Sequence, residues 1–577
     1  MKKVITQQLV KATITNIVWE RIFVTFDIRI EQLTDESLGD LTFYAVNESG
    51  AAKARFRQQR QDNGNYQIRL NVTNQGENHC IVSGNYWIVV CAGNRHLAVC
   101  ETDLNLVNRL EDCSRGFLYN RQKNVFSVVF YVSEGEDTLP FRMRILPAAK
   151  TGLGMPGGTK GKKRKTIKTR IKEKRRPFLR SIYQCYAKQY RNKKNTVLFM
   201  SEQSDVLGRN LVAVRDRMKE RQMESTYTIL ESARSAAATR QSMKSWWLLV
   251  KKLAQSSVVV LDDHAPILDW LTLDDNTKVI QLWHAGAGFK SSGYSRWGHD
   301  GCPAPYSAHR QYDFGVAGSK QIAPFFSEVW GIQDEQVLPT GMPRMDAFLD
   351  QNHKKEKLKE LYEQYPMCKD KKVILFAPTY RGRNKKTAMY PYELIDFKRL
   401  YELCGEEYVV LFKMHPWVAQ EVPIPEGYRD KFVDANQYPD INDLFYMTDL
   451  LISDYSSNIY EYSLMGKPML FFAFDEIQYA FSRGFHRDYK ASVPGKICHT
   501  FDALLDAIRN KDFEEEKVKQ YVEHHFDYVD SNASDRVIDW LILGDLPKET
   551  VEELQAIADA NQCMNQQVFE IFDDKIV

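Results

Sequence analysis

The sequence lacks a long hydrophobic segment: its longest strongly apolar run, from Pro468 to Phe474, is far shorter than the roughly 20 residues that a membrane-spanning helix needs. The N-terminal stretch opens with lysines but has no continuous apolar region, so it does not resemble a signal peptide. Paired cysteines are missing too, because the ten cysteines are scattered and none forms a C-x-x-C motif. These absences predict a cytoplasmic protein with reduced thiols, no spanning helix and no zinc site.

The charge of the chain, by contrast, is distributed unevenly. The formal net charge is +3, but eleven lysines and arginines face one glutamate between Lys160 and Arg176, which gives this basic strip +10 and leaves −7 for the rest. We expect the strip to attract a polyanion or an anionic membrane surface. Nucleic acid as the polyanion and a merely solvated linker are the alternatives. The candidate membrane-docking residues are Lys162, Lys163, Arg164, Lys165, Arg175 and Arg176.

The length of 577 residues exceeds what one hydrophobic core supports, so about three or four domains are expected. Residues 1–148 are predicted to be a small β-rich accessory domain, because runs of β-branched and aromatic residues alternate with turn signals there. These runs include Ile22–Ile28, Tyr86–Val90 and Phe126–Phe130. Residues 149–194, which begin with a glycine-rich stretch and contain the basic strip, are predicted to be a linker.

From residue 195 onward, short apolar strands alternate with helical segments. The predicted strands are Val197–Met200, Val258–Leu261, Val279–Trp283, Val373–Ala377, Tyr408–Phe412, Leu450–Ser453 and Met469–Ala473. Such alternation is typical of α/β proteins with parallel sheets, so two Rossmann-like domains that face each other are predicted, at 195–350 and 351–545. Residues 546–577 are predicted to form a helical tail. Parallel sheets bind ligands at the carboxyl ends of their strands, so site residues are expected just after each strand.

Two segments with histidines follow predicted strands. His284 is followed by Gly286 and Gly288, which would let the backbone approach a ligand closely, and histidine is suited to accept a proton from an attacking hydroxyl. Lys413 and His415 leave a later strand on the same side, so both are expected to meet one phosphate. Taken alone, a structural histidine and a solvated strand end remain the alternatives.

A third segment runs from Ser453 to Tyr462. Asp454 ends a predicted strand, and Ser456 or Ser457 is placed to cap the following helix. The N-terminus of that helix would present free N–H groups and a positive dipole to a phosphate. Plain helix capping is the structural alternative, and both interpretations can hold at once.

In combination and order, the motifs W-H-x-G, H-P and S-D-Y-S-S-x-x-x-E resemble those of the CDP-glycerol glycerophosphotransferase family, which contains teichoic acid polymerases and primases. Further matching segments are Thr340–Asp346, Ala377–Arg381 and Arg483–Phe485, and the resemblance covers residues 195–545. The family's first motif usually reads W-H-G-T, so the alanine after His284 is a departure in the local loop. The N-terminal stretch with Trp19-Glu20-Arg21 is similar, more weakly, to the accessory module of longer polymerases.

The resemblance implies a GT-B fold, in which two Rossmann-like domains face each other and the second holds a CDP-polyol. It implies that His284 deprotonates the acceptor hydroxyl and that His415 contacts the donor pyrophosphate. Glu461 is expected to bind a ribose hydroxyl. The other residues that this resemblance assigns to donor binding are Arg344, Thr379, Arg381, Lys413, Asp454, Ser456 and Ser457.

The implied reaction transfers a polyol phosphate from CDP-ribitol or CDP-glycerol to a lipid-linked polymer and releases CMP. The choice of polyol stays open, although the long N-terminal stretch inclines the interpretation toward ribitol. Since no Asp-x-Asp triplet occurs, neither a metal nor another cofactor is expected to be essential, and complete loss of activity in EDTA would contradict this hypothesis. The expected partner surface is the inner leaflet of the cell membrane, bound peripherally, with no nucleic acid; a homo-oligomer stays open.

Two alternative functions remain. A GT-B glycosyltransferase that uses a nucleotide sugar would share the fold and differ in its donor. A non-catalytic scaffold that binds anionic lipid or nucleic acid through the basic strip would lose all function when the strip is deleted, whereas the enzyme would keep turnover on a soluble acceptor analogue.

Overall fold

The computed structural model of the protein describes residues 9–34, 38–48, 50, 53–75, 78–93, 95–120, 122–132, 139–149, 167–236, 241–286, 290–299, 301–382 and 385–554. Within these ranges, a mainly β part precedes two parallel sheets whose strands are connected by helices. The prediction of a mixed α/β protein with parallel sheets is confirmed.

Alternation of buried and open side chains builds the N-terminal part. In β2 (Phe23–Gln32), Val24, Phe26 and Ile28 are buried and their neighbours are more open, the period of a strand covered on one face. The other strands are β1 (Val10–Glu20), β3 (Leu41–Asn47), β4 (Lys53–Arg55), β5 (Arg57–Arg60), β6 (Tyr66–Asn71), β7 (Gly84–Ala92), β8 (Arg95–Val99), β9 (Glu101–Thr102), β10 (Arg115–Tyr119), β11 (Asn124–Val132) and β12 (Phe141–Ala149), with short helices α1 (Leu104–Val107) and α2 (Leu110–Cys113). Among the described residues they form sheets of order β5-β6-β2-β1-β9 and β10-β11-β12-β7-β3-β4, with β8 on β7.

The first parallel sheet has the order β14-β13-β15-β16-β17-β18 and the second has the order β21-β20-β19-β22-β23-β24. The first contains β13 (Thr196–Ser201), β14 (Thr228–Ala233), β15 (Val258–Leu261), β16 (Lys278–Gln281), β17 (Phe314–Val316) and β18 (Val337–Leu338). The second contains β19 (Lys372–Phe376), β20 (Tyr408–Phe412), β21 (Phe432–Asp434), β22 (Leu450–Ser453), β23 (Met469–Phe472) and β24 (Lys496–Cys498). Every residue of β15, β20 and β22 is buried, as expected for strands covered on both faces.

Helices connect these strands and cover the sheets. They are α3 (Ile167–Gln189), α4 (Arg209–Glu220), α5 (Met243–Gln255), α6 (Ala323–Trp330), α7 (Met345–Leu349), α8 (Gln351–Gln364), α9 (Phe397–Cys404), α10 (Ile441–Phe445), α11 (Ile459–Ser463), α12 (Glu476–Ser482), α13 (Tyr489–Ser492), α14 (Phe501–Asn510), α15 (Glu516–His525) and α16 (Ala533–Arg536). One continuous hydrophobic core includes residues of both parallel sheets, which holds the two halves together.

The strand order identifies where ligands are expected. In the second sheet the order reverses between β19 and β22, and such a switch point opens a crevice at the carboxyl ends of the strands in doubly wound sheets. Thr379 and Arg381 follow β19, and Asp454 follows β22. Three residues that the sequence analysis assigned to donor binding therefore lie at this switch point.

The N-terminal β part is anchored to the segment after His284. Trp297 lies 5.6 Å from Phe117 and 4.9 Å from Phe126, measured between ring centroids, and belongs to the hydrophobic core of the β part. A buried charge cluster adds a second connection: Arg21 Nε lies 2.9 Å from Glu328 Oε1, and His486 Nε2 lies 3.0 Å from Glu328 Oε2. These contacts join the β1–β2 turn, α6 and the segment after α12 at one place.

The segment predicted to be a linker contains a docked helix. In α3, Leu179 and Tyr183 lie one turn apart and are buried in the core of the parallel sheets, which is why this stretch is helical. The Arg175 guanidinium lies 4.8 Å from the centroid of the Trp246 ring, a cation–π contact. Arg176 lies 5.7 Å from the Trp270 ring centroid. The other candidate docking residues, Lys162, Lys163, Arg164 and Lys165, fall outside the described residues.

The chain returns to the first sheet near its C-terminus. α16 continues into a π-helical segment, Val537–Leu543, and the carbonyl of Leu541 accepts a hydrogen bond from Lys278 Nζ at 2.8 Å. Residues 533–543 thus pack on the first half, although the sequence analysis assigned them to the second. Residues 548–554 are helical, and the remainder of the predicted tail lies outside the described residues.

In the described part of the chain, no helix is both long enough and apolar enough to cross a membrane.

Candidate active site

Polar residues from both parallel sheets converge where the strands end, and we call this region the site. The residues are Asp263 after β15, His284 after β16, Arg344 after β18, Arg381 after β19, His415 after β20, Asp454 after β22 and Asp475 after β23. Contacts described below connect the loops of the first sheet to those of the second. The expectation that site residues follow the strands therefore agrees with the placement of these side chains.

A sharp backbone turn presents His284. The strand β16 ends at Gln281, two residues earlier than predicted, and Trp283 adopts a left-handed conformation with φ of 56°. This conformation costs a bulky residue about 1–3 kcal/mol. Hydrogen bonds hold it: the Trp283 N–H donates to Gln281 Oε1 at 2.8 Å, and the Trp283 carbonyl accepts from Asn210 Nδ2 at 2.8 Å. The strained turn directs His284 away from the strand.

His284 is oriented by a carboxylate that the sequence analysis missed. Its Nδ1 lies 3.3 Å from Oδ2 of Asp263. A carboxylate there keeps the ring proton on Nδ1 and leaves the lone pair of Nε2 available to a substrate hydroxyl. The surrounding protein lowers the pKa of His284, mainly through burial and also through Arg344 and Lys290, although Asp263 opposes the shift. The side chain is nevertheless 55% exposed, so the ring lies among protein groups and remains accessible to a substrate.

The first motif reads W-H-A-G in this chain, where the family usually has W-H-G-T, and the structure explains the glycine at position 286. A Cβ atom built on Gly286 would lie 2.3 Å from the ring of Tyr460 in α11, and Tyr460 is completely buried. Glycine is required here because the loop after His284 approaches an aromatic ring of the second half. The observed close approach at Gly286 is to Tyr460; approach to a ligand stays a prediction, and Gly288 lies outside the described residues.

We expect Gly286→Ala to destabilise the protein by about 1–3 kcal/mol, because the added methyl group has no space beside Tyr460. The midpoint of urea unfolding measures this change. Gly427→Ala is the matched control, since a Cβ there meets no atom within 4 Å. An unchanged midpoint for Gly286→Ala would show that this close packing is absent.

Arg344 joins the His284 loop to the second half. Its Nη1 donates a hydrogen bond to the His284 carbonyl at 2.8 Å, and its Nη2 pairs with Oε1 of Glu461. Both side chains are largely buried, at 14% and 5% exposure. Oε1 of Glu461 is therefore used by Arg344, and Arg344 serves as a bridge between the two halves. The contacts of these two side chains with a ribose hydroxyl and with a phosphate stay predictions.

A buried ionic network fills the switch point of the second sheet. Arg381 donates from Nη1 to Oδ2 of Asp454 at 2.9 Å and from Nε and Nη2 to Asp475 at 2.6 and 2.8 Å. Oδ1 of Asp454 accepts from the N–H groups of Thr379 and Tyr455 at 2.7 and 2.6 Å. Asp454 and Arg381 are therefore committed to each other and to the backbone. The network fixes the loops around the switch point.

His415 has a defined tautomer. Its Nδ1 accepts a hydrogen bond from the Trp417 N–H at 3.1 Å, so the proton of the neutral ring lies on Nε2. Burial, with help from Lys290, lowers the pKa of His415 to about 4, which keeps the ring neutral at physiological pH. The ring packs on Tyr380 at a centroid distance of 4.6 Å. A neutral Nε2–H is a hydrogen-bond donor suited to a phosphate oxygen.

Lys413 does not act together with His415 as predicted. Its Nζ donates to the carbonyls of Asn436 and Tyr438 at 2.8 and 2.7 Å, and the residue is 7% exposed. The ammonium is thus used to hold the loop after β21. The prediction that Lys413 and His415 lie on the same side required the strand to continue through both residues. β20 ends at Phe412, so the alternation of a strand does not apply to them.

Ser456 and Ser457 do not cap the following helix. The N-cap of α11 is Asn458, which makes no side-chain cap, and Ser456 Oγ accepts from the Asn458 N–H at 3.3 Å. α11 has only five residues, so its dipole is a weak source of charge for a phosphate. Both serines are partly exposed, and in the sequence they follow Asp454 by two and three residues.

Four residues of the site were missed by the sequence analysis: Asp263, Lys290, Asp475 and Arg483. Asp263 follows a correctly predicted strand by two residues, which is the signal that could have identified it. Lys290 closes the first motif, and Arg483 opens the R-G-F motif. Among the described residues, no group of three or more His, Cys, Asp or Glu side chains is arranged to hold a metal ion.

The fold and the site define an α/β protein with two parallel sheets and a polar, cation-rich site at their strand ends. Residues 182–543 match the model of the family described as CDP-glycerol:poly(glycerophosphate) glycerophosphotransferase, and the chain belongs to this family.

Curated relatives agree with this assignment. The teichoic acid ribitol-phosphate polymerase TarL of Staphylococcus aureus is 39% identical over 348 residues, which cover 60% of this chain and 62% of TarL. The teichoic acid poly(ribitol-phosphate) polymerase of Bacillus spizizenii is 38% identical over 352 residues, or 61% of this chain and 56% of that protein. The teichoic acid glycerol-phosphate primase of Bacillus subtilis is 30% identical over 292 residues, or 50% and 73%. The chain spans less than two thirds of the length of the two ribitol-phosphate polymerases.

A solved structure shows the same fold. The wall teichoic acid polymerase TagF aligns with a TM-score of 0.51 and 22% identity, over 68% of this chain and 96% of that chain.

Proposed function

We propose that the protein is a CDP-polyol phosphotransferase of GT-B architecture that adds ribitol phosphate to a lipid-linked polymer and releases CMP. The observation that carries the proposal is the pair of neutral histidines, His284 and His415, at the strand ends of two parallel sheets in a chain of this family. The identity of 39% and 38% to two ribitol-phosphate polymerases, against 29% to a poly(glycerol phosphate) polymerase, supports ribitol over glycerol.

The proposed chemistry balances at one phosphorus atom. A terminal hydroxyl oxygen of the acceptor forms a bond to the phosphorus that carries the polyol, and Nε2 of His284 takes the hydroxyl proton. The bond from that phosphorus to the oxygen bridging the two phosphates breaks, and CMP leaves with the electron pair. Phosphoryl transfer of this kind depends mainly on positioning and on stabilisation of charge.

The donor is proposed to lie at the switch point of the second sheet. The Nε2–H of His415 would donate a hydrogen bond to a phosphate oxygen on the CMP side, because Nδ1 is already used by Trp417. Thr379 and the two serines, Ser456 and Ser457, flank the same crevice on the loops after β19 and β22. Arg381 and Asp454 position these loops through their ion pair.

We also propose that the protein works peripherally at the inner face of the cell membrane, where a lipid-linked acceptor is accessible. The support is the basic strip of the sequence, with Arg176 exposed at its described end. Anionic lipid attracts such a strip by about 1 kcal/mol per lysine or arginine near the surface.

The test is CMP release from CDP-ribitol and from CDP-glycerol, each with a lipid-linked acceptor analogue and purified full-length protein. We expect release from CDP-ribitol at a rate that depends on the acceptor, and much slower release from CDP-glycerol. Faster release from CDP-glycerol would show that the polyol is glycerol, and the proposed reaction class would stand. No release from either donor, with nucleotide release from a nucleotide sugar, would overturn the proposal.

A further inference from the structure

Lys290 lies at the junction of the two halves. Its backbone forms an isolated antiparallel bridge with Phe485, and the N–H of the next residue, Ser291, donates to the Gly484 carbonyl at 3.0 Å. The segment after His284 is thereby fastened to the R-G-F segment of the second half. The position of the lysine backbone is set by both halves at once.

The ammonium group of Lys290 is under the influence of the charged groups of the site. It interacts electrostatically with Asp454, Arg381 and Arg483, and it is close enough to His284 and His415 to lower the pKa of each. No hydrogen bond or ion pair of the Lys290 side chain is found among the described residues. An ammonium group that influences both histidines and has no such side-chain partner is available to a ligand.

The charge around Lys290 is not balanced. Arg381 is neutralised by its ion pairs with Asp454 and Asp475. Arg483 has no carboxylate partner in the described structure; its Nη2 donates to the Tyr380 hydroxyl at 3.3 Å and to the Gly382 carbonyl at 2.8 Å. Three cations therefore face two carboxylates, and the surplus positive charge is what an anionic substrate would compensate.

We propose that the ammonium of Lys290 binds the phosphate group that is transferred and stabilises the charge on its oxygens in the transition state. This inference rests on the proposed function. The ammonium interacts electrostatically with both His284, which receives the acceptor proton, and His415, which contacts the CMP side. A cation in this place meets the phosphorus that exchanges bonds, and it keeps its proton throughout the step.

The lowered pKa of Lys290 allows the proposal to be tested through the pH dependence of the reaction. Burial is the main cause that lowers the pKa of Lys290 to about 8; Arg483 and Arg381 add to the effect, and Asp454 opposes it. Since the charged form is the active one, kcat/KM should fall as the pH rises through 8. In Lys290→Arg the side chain stays charged, because the pKa of arginine exceeds about 12. The alkaline fall should then disappear.

The experiment compares wild type, Lys290→Met, Lys290→Arg and a control, Lys355→Met, whose lysine is exposed on α8. Two quantities are measured: binding of inorganic pyrophosphate by calorimetry, and kcat and KM for CMP release across pH 5 to 10. Unchanged thermal unfolding verifies that each variant is folded. We expect Lys290→Met to lower kcat by about 10²- to 10³-fold and to weaken pyrophosphate binding. Lys290→Arg should recover part of the rate and lack the alkaline fall.

Turnover of Lys290→Met within threefold of wild type, or unchanged pyrophosphate affinity, would overturn the inference. An alkaline fall that persists unchanged in Lys290→Arg would overturn it as well. If wild type releases no CMP from either donor, the proposed function fails, whereas the pyrophosphate titration still decides whether Lys290 forms an anion site.

Discussion

Replacing His284 by alanine is expected to reduce CMP release by about 10²- to 10⁴-fold, the range typical of a lost general base. The proposed base is then missing, since the Nε2 lone pair that Asp263 leaves open is gone. Single-turnover CMP release with saturating donor and acceptor measures the effect. The fold should be unaffected, because the side chain is 55% exposed and its removal leaves no buried cavity.

The pH profile gives an independent check on His284. Burial lowers its pKa below the ordinary value of 6.5, so the base is neutral at pH 7 and kcat/KM should fall only as the pH drops below 6.5. Because Asp263 raises the pKa, Asp263→Asn should move this acid limb to lower pH. The control is His353→Ala on α8, which should retain full activity. A His284→Ala rate within tenfold of wild type would exclude this histidine as the base.

The sequence predicted the strands of the parallel sheets well because these strands are buried on both faces. β15 and β20 coincide with the predicted runs at both ends, since every residue in them is apolar and buried. The prediction overran at β16, where Trp283 is apolar but turns into the left-handed region to present His284. An apolar pattern identifies burial, and it does not distinguish a buried strand from a buried turn.

The partners of the charged site residues could not be predicted in the same way. Arg344 and Glu461 are 117 residues apart in the chain and meet only because the two halves pack together. The same packing places Tyr460 against Gly286 and brings Lys290 to the R-G-F segment. Motifs identified which residues gather at the strand ends. Which of them pair with each other, and which stay open to a ligand, depends on the docking of one half on the other.

The buried network at the switch point leads to the largest expected effect on stability. Asp454 is fully buried, and its carboxylate accepts from Arg381 and from the N–H groups of Thr379 and Tyr455. Asp454→Ala leaves the arginine with one of its two carboxylates and leaves two buried N–H groups without an acceptor. Loss of one partner of a buried ion pair costs about 3–5 kcal/mol, so this variant should unfold at a much lower urea concentration.

The control for this variant is Asp502→Ala. Asp502 pairs with Arg399 at the surface, with the carboxylate 69% exposed, and solvent screens such a pair, so its loss should leave the unfolding midpoint nearly unchanged. Equal unfolding midpoints for the two variants would contradict the buried network. Measuring turnover together with stability distinguishes the structural role of the Asp454–Arg381 ion pair from the proposed catalytic role of Lys290. Asp454→Ala should lose activity together with stability because it releases the loops after β19 and β22, whereas Lys290→Met should lose activity with its stability unchanged.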